Sequence, residues 1–330
     1  MNPHEDSYTE VKARHEMICA ELIFYRWYAV WQDEQRVEIL SRTGLCARFK
    51  AMTYVEPAVG NKPFKRKRFI TQWIHDHEKK LCHTVDSDGT LHSSHDFFNI
   101  FTGFKAAKLP AVSDVDVVSL VQPIIGYIYN VVARENKERA EWFENWLASI
   151  VQRPQNRHLI AVVVNGEGHG TGVLADFFRC EVLGMHCSLQ SNNIKQDLFS
   201  RFAKGAIGTI FLQTDQEMQE LEDVRGQFRG LITVSTITYE RQRMDPCQME
   251  NMVNVFMSTE NTTGETLNWR FELFQARRVN DRAYIGELQQ HLTRPDVARA
   301  FFQYLMGRDL SQFCCHTHPL PLEKLLHPLM

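Results

Sequence analysis

Gly166, Gly168, Gly170 and Gly172 stand at every second position of this chain, and theirs is the spacing that most directly suggests chemistry. Without a Cβ, glycine lets the backbone turn with positive φ and approach a ligand closely. A continuous apolar run, Leu159 to Val164, precedes them with the composition of a parallel strand covered on both faces. After them Val173, Leu174, Phe177, Phe178 and Val182 fall at helical spacing, and Leu183-Gly184 supplies a stop. Strand, glycine loop and helix in that order form the skeleton of a phosphate-binding loop, in which backbone N–H groups at a helix N-terminus hold an anion. Two side chains of such loops are missing. Gly172 is followed by Val173 and Leu174, not by the lysine that reaches the β/γ-phosphates and the hydroxyl that holds Mg²⁺. Taken alone, the glycines also fit a structural turn in an ordinary α/β domain.

A second apolar strand, Ile207 to Leu212, runs into Gln213, Thr214 and Asp215, then Gln216 and Glu217. A carboxylate at the carboxyl end of a strand beside a glycine loop is where a nucleoside triphosphatase holds Mg²⁺ and orients water. The usual pair is Asp-Glu. An amide at Gln216 takes no proton from water, so that role would fall to Glu217. The same acids equally suit a helix start through the macrodipole. A third apolar strand, Val253 to Met257, ends at Ser258-Thr-Glu-Asn261. An amide there either senses a γ-phosphate or is a turn residue. Leu231 to Glu240 alternates like a strand or hairpin and is flanked by Arg225, Arg229, Arg241 and Arg243, while Arg270 lies in Trp269-Arg-Phe271 on another expected strand.

Further upstream, Lys62, Lys65, Arg66, Lys67 and Arg68 are interrupted by Phe64 and followed by Phe69 and Trp73. Basic residues among aromatics track a phosphate backbone and stack bases; the alternative is a solvated helix start with Trp73 in the core. The five histidines His75, His77, His83, His92 and His95, and the C-terminal Cys314, Cys315, His316 and His318, lack the spaced ligand pairs of a zinc site.

The elements that must carry these residues are an ordinary globular set. The chain has 330 residues, 44% hydrophobic and 23% charged, with a net charge of -3. Nucleic-acid contact must therefore come from local patches. The eight cysteines show no disulfide framework and, with no signal peptide, read as reduced thiols of an intracellular protein. Val117 to Ala133 is short of a membrane span and reads as a buried helix or helix pair. His4 to Glu34 reads as one helix presenting Phe24, Tyr25, Trp27, Tyr28 and Trp31. Lys137 to Val151, Asp281 to Leu292 and Pro295 to Met306 read as further helices.

The order of segments resembles the helicase part of viral and phage primase-helicases, the superfamily 3 type. It is nearest to the helicase domain of phage primase-polymerases, and more distantly similar to the poxvirus primase-helicase. The likeness runs from about residue 65 to about residue 325. It rests on Asn99-Ile-Phe-Thr-Gly-Phe104, Trp142 to Pro154, Gly170-Thr-Gly172, Phe228 to Thr233, Asn261, Trp269-Arg-Phe271 and Arg308-Asp-Leu-Ser-Gln-Phe313. The resemblance implies an α/β fold with an AAA+-like P-loop ATPase core at 151–275, a mostly helical N-terminal domain at 1–150 and a C-terminal helical segment at 276–330. It implies ATP and Mg²⁺ as cofactors, single-stranded DNA as partner, a homo-oligomeric ring and an attached primase-polymerase domain, with no membrane. Gly166, Gly168, Gly170, Thr171 and Gly172 would form the nucleotide loop, Asp215 would hold Mg²⁺, and Glu217, Asn261 and Arg270 would complete the catalytic set. Lys65, Arg66, Lys67, Arg68 and Arg229 would face nucleic acid. The missing loop lysine and hydroxyl and the amide at Gln216 imply impaired hydrolysis, or a helicase-like subunit that binds single-stranded DNA or a replication partner without turnover. A cation lent by a neighbouring subunit, from Arg277, Arg278 or Arg282, would compensate.

Overall fold

The computed structural model describes residues 6–23, 27–33, 36–56, 64–86, 97–166, 170–199, 208–216, 218–239, 247–260 and 270–314. They form two compact units, one from residues up to 102 and the other essentially from 103 onward.

The first unit opens with α1 (Tyr8–Ile18). Ser7 and Glu10 form a reciprocal capping box that closes its first turn. The chain then turns to strand: β1 (Cys19–Leu22), β2 (Trp27–Asp33) and β3 (Arg36–Leu40). The single helix expected from His4 to Glu34 thus ends at Ile18. Trp27, Tyr28, Ala29 and Val30 are all buried in β2, because neighbours cover both faces of the strand; such aromatic and β-branched residues suit a sheet. Phe24 and Tyr25 lie outside the described residues. Next come α2 (Arg42–Arg48), β4 (Thr53–Glu56), β5 (Lys65–Arg68), α3 (Phe69–Trp73), β6 (Leu81–Cys82), β7 (Thr84–Asp86) and β8 (Phe97–Asn99). The main sheet has the order β3-β2-β1-β6, and β4 pairs antiparallel with β5. Phe69 and Trp73 are fully buried around His15.

The second unit begins with α4 (Asp114–Tyr127), which continues as a π-helical turn, Ile128–Val132. Asp114–Val132 is thus one helix, not a pair. By length and composition alone it could cross a membrane; in the fold it packs against the C-terminal helix. The elements that follow are α5 (Lys137–Gln152), β9 (Ala161–Asn165), α6 (Thr171–Phe177) with a π-helical extension Phe178–Leu183, β10 (Ser188–Ser191), α7 (Ile194–Leu198) and β11 (Phe211–Thr214). Then come α8 (Arg225–Thr233), β12 (Thr236–Tyr239), β13 (Cys247–Glu250), β14 (Asn254–Thr259), β15 (Phe271–Gln275), α9 (Arg282–Leu292) and α10 (Pro295–Met306). The Leu231 to Glu240 stretch is divided: Leu231 to Thr233 end α8, and β12 pairs with β13.

The centre of this unit is a five-stranded, wholly parallel sheet of order β10-β11-β14-β9-β15. The fold class is therefore mixed α/β. Alternation along the strands sends side chains to two covered faces. Val163, Val255, Met257 and Leu212 pack with Phe228, Leu231 and Ile232 of α8. On the opposite face the aromatics Phe211, Phe256 and Phe274 meet Phe143 and Trp146 of α5, and Phe178. Because all strands run the same way, their carboxyl ends share one edge. Open parallel sheets bind ligands at that edge.

Candidate functional site at the carboxyl edge of the parallel sheet

The glycine loop leaves β9, whose neighbours are β14 and β15. Its first residue is fixed by backbone: Gly166 N–H donates to Thr259 O at 2.9 Å. Gly170 caps α6 with φ +69°, and a Cβ there would stand 3.0 Å from Ile285 Cδ1 and 3.6 Å from the Tyr127 hydroxyl. Only glycine fits both the left-handed backbone and that close approach. Gly172 differs: among the described residues, no heavy atom lies within 4 Å of where its Cβ would be. Gly168 lies outside the described residues, and of Thr171 only the backbone is described. The helix leaving the loop is anchored by Arg179, which is buried. Its Nε donates to Gln213 at 3.0 Å and its NH2 to Gln190 at 3.0 Å, tying the helix to β10 and β11.

Asp215 follows β11 on this same edge and is exposed. β14 stands between β11 and β9, so Asp215 lies two strand spacings, about 10 Å, along the edge from the loop. Gln216 is committed elsewhere. Its Oε1 accepts the Ile194 N–H at 2.7 Å, holding the start of α7. Ser258, near the end of β14 and opposite Val164, has a buried hydroxyl with no hydrogen-bond partner among the described residues. An unpaired buried hydroxyl costs about 1–3 kcal/mol. Glu217 and Asn261 lie outside the described residues.

One segment brackets the loop at both ends. Ala276 N–H donates to Asn165 O at 3.0 Å, just before the loop, and Ile285 touches Gly170 at its close. Between these contacts lie Arg277, Arg278 and Arg282. Arg277 is paired with Glu135 at 2.7 Å. Arg278 and Arg282 are exposed and have no ion-pair partner among the described residues. Spacing along the chain could not reveal this approach, because it follows from β15 pairing with β9.

Arg270 and Arg229 belong to the other end of the sheet. Arg270 O accepts the Ala161 N–H at the start of β9, so the length of that strand, roughly 13 Å, separates it from the glycine loop. Burial, then the charge of nearby Arg229, holds the Arg270 guanidinium below the usual arginine range. Arg157, just before β9, donates to Thr233 O at 2.9 Å at the end of the helix carrying Arg229. The structure thus gathers Gly166, Gly170, Gly172 and Asp215 on one edge and sets Arg229 and Arg270 on the opposite one. Lys65, Arg66, Lys67 and Arg68 lie in the first unit, on β5.

No family model matches the sequence, and no curated protein matches it. Solved structures do. An apo structure of the NrS-1 C-terminal region (305-718) has a TM-score of 0.65 at 16% identity, covering 91% of this chain and 68% of that one. The A form of the same region gives 0.67 at 16% identity, covering 94% and 71%. A further A-form structure gives 0.62 at 15% identity, covering 93% and 70%. At these identities the likeness is one of fold.

Proposed function

We propose that this chain is the nucleotide-binding helicase or ATPase part of a phage-type replication protein, of the superfamily 3 kind, acting on single-stranded DNA inside the host cell. The observation that carries the reading is that the glycine loop, Ser258 and Asp215 follow three neighbouring strands, β9, β14 and β11, along the carboxyl edge of a parallel sheet. The parallel-sheet fold shared with the C-terminal region of NrS-1 stands beside that observation.

The residues present suit a polyphosphate. The backbone turn at Gly170, the open space at Gly172 and the unsatisfied Ser258 hydroxyl supply donors and room. Asp215 would take the Mg²⁺ side. When bound, ATP would supply the driving reaction of a ring of identical subunits, with a primase-polymerase domain as neighbour. Arg278 and Arg282 take over the charge of the missing loop lysine, and they do so from the same chain, since their segment touches both ends of the loop. A labelled ATP analogue with Mg²⁺ tests this without DNA. Binding is expected, and Arg278→Ala with Arg282→Ala should weaken it at least tenfold. No binding up to millimolar nucleotide overturns the proposal.

The Gln216–Ile194 hydrogen bond favours a second reading, in which nucleotide binds without turnover. Phosphate release stimulated by single-stranded DNA decides between them.

A further inference from the structure

We propose that the cleft beside β5 in the first unit is a single-stranded nucleic-acid site that works without nucleotide. The inference deepens the DNA-binding half of the reading above and takes its partner class from it. The cleft, of about 1110 Å³, is lined among others by Lys12, Lys67, Arg68, His75, Asp76 and His77. Only Lys67 and Arg68 of these were marked by the sequence as facing nucleic acid; the fold adds α1 and the turn after α3.

The charges in the cleft divide into spent and available ones. Asp76 is spent. Its Oδ2 accepts from Lys12 at 2.8 Å and from the Tyr8 hydroxyl at 2.6 Å, and these bonds hold its carboxyl down at about 2. Lys12 also donates to Glu78 O, and Lys67 pairs with Glu56 at 2.8 Å. The His75 ring meets Arg42 at 2.9 Å. Arg68 is exposed and, with Lys65 further along the strand, has no ion-pair partner among the described residues.

Beside these cations stands an aromatic ring in water. Phe64 is 60% exposed immediately before β5, whereas Phe69 and Trp73 are wholly buried and offer no face. By the alternation of a strand Phe64 and Arg68 share one face of β5, about 13 Å apart, with Lys65 on the other face. A cationic track with an exposed ring at one end is how proteins hold single strands: phosphates follow the charges and a base stacks on the ring. A duplex hides its base faces, so the geometry points to single strands and to little sequence preference.

The test uses the full chain, without nucleotide, and a fluorescein-labelled oligo-dT followed by anisotropy across a salt series. Binding is expected, with log K falling linearly against log salt. Arg68→Ala should lower the slope by about 0.7, the loss of one phosphate contact to a single strand. Phe64→Ala should weaken binding roughly tenfold with the slope unchanged. Lys50→Ala, an exposed lysine that does not line the cleft, should leave both unchanged. The two test side chains are exposed, so neither substitution removes core packing. Failure of the wild type to bind, wild-type behaviour of both variants, or equal competition by unlabelled duplex would each overturn the proposal. Nucleotide binding measured without oligonucleotide stands apart from all three outcomes, so a failed cleft and a failed nucleotide site are distinguishable.

Discussion

Two regions of the second unit treat their polar groups in opposite ways. Between α5 and α10 the charges are closed in. Glu144 is buried, and its Oε2 accepts from the Tyr304 hydroxyl and from Arg308 NH1, each at 2.5 Å. Arg308 Nε donates to Asn145 at 2.7 Å, and Gln152 donates to the carbonyls of Leu305 and Arg308. Phe313 packs edge-on to Trp142 and to His158. At the carboxyl edge of the sheet the polar groups are less committed among the described residues: Asp215 is exposed, no heavy atom lies within 4 Å of a Cβ at Gly172, and the buried Ser258 hydroxyl has no hydrogen-bond partner. A closed network specifies a fold, and an open one suits a partner from outside. The Trp142 to Pro154 and Arg308 to Phe313 segments, which carried much of the family resemblance, belong to the closed region. They mark the fold, and the open edge must carry any chemistry.

The largest effect should come from breaking the closed network. Arg308→Ala leaves the Glu144 carboxylate buried beside Tyr304 alone, and removing one partner of a buried ion pair typically costs about 3–5 kcal/mol. Urea unfolding followed by tryptophan fluorescence would measure it. Arg308→Met combined with Glu144→Leu should recover most of the loss, because an apolar pair leaves no charge uncompensated. A loss below about 1 kcal/mol for Arg308→Ala would mean that solvent already reaches this network.

The first unit sharpens the contrast with a buried imidazole among aromatic rings. His15 is 1% exposed, and neither ring nitrogen has a hydrogen-bond partner among the described residues; Phe49, Phe69 and Trp73 surround it at 4.7–5.1 Å. Burial lowers it from 6.5 to about 4. Above pH 6.5 the ring is neutral in both folded and unfolded chains, so it adds no pH dependence. Between 6.5 and 4 the unfolded chain takes up a proton that the folded one refuses, and stability falls as pH falls. The loss levels off below 4 at roughly 3 kcal/mol. Unfolding midpoints from pH 7 to 4 would show this slope, and His15→Phe should flatten it.

Smaller effects separate the two glycines of the open edge. Gly170→Ala must hold a left-handed φ against Ile285 and should cost about 1–2 kcal/mol of stability. Gly172→Ala meets none of the described residues and lies within α6, so it should be neutral or stabilising by up to about 1 kcal/mol. Both should weaken nucleotide binding, the first by distorting the turn and the second by filling the space. Thermal melts paired with analogue binding would separate stability from affinity. Equal stability losses would mean that the loop takes another shape in solution.

The sequence made this edge legible where the signal was local. β9 and β14 follow from apolar, β-branched runs between turn residues, whereas β11 (Phe211–Thr214) starts later than the Ile207 to Leu212 run that marked it; the turn into α6 is met at Gly170, and Gly172 already lies in the helix. The stretch around Trp27 and Trp31 misled, because aromatic spacing fits either a helical face or a strand buried on both sides. The approach of Ala276 and Ile285 to the two ends of the loop was illegible, since it depends on which strand neighbours β9 across more than a hundred residues.

The smallest expected effect concerns Gln216, and it bears directly on whether the open edge can turn over nucleotide. Simple loss of a catalytic acid would let Gln216→Glu restore hydrolysis. The geometry argues otherwise, because the side chain already accepts the Ile194 N–H at the start of α7. A carboxylate would make the same bond and gain from the positive end of the helix. Gln216→Glu should therefore leave phosphate release unchanged and stability equal or slightly higher, while Gln216→Ala should cost about 1 kcal/mol. A tenfold rise in DNA-stimulated phosphate release with Gln216→Glu would show that this side chain leaves α7 during turnover, and the open edge would then be a hydrolytic site blocked by one substitution.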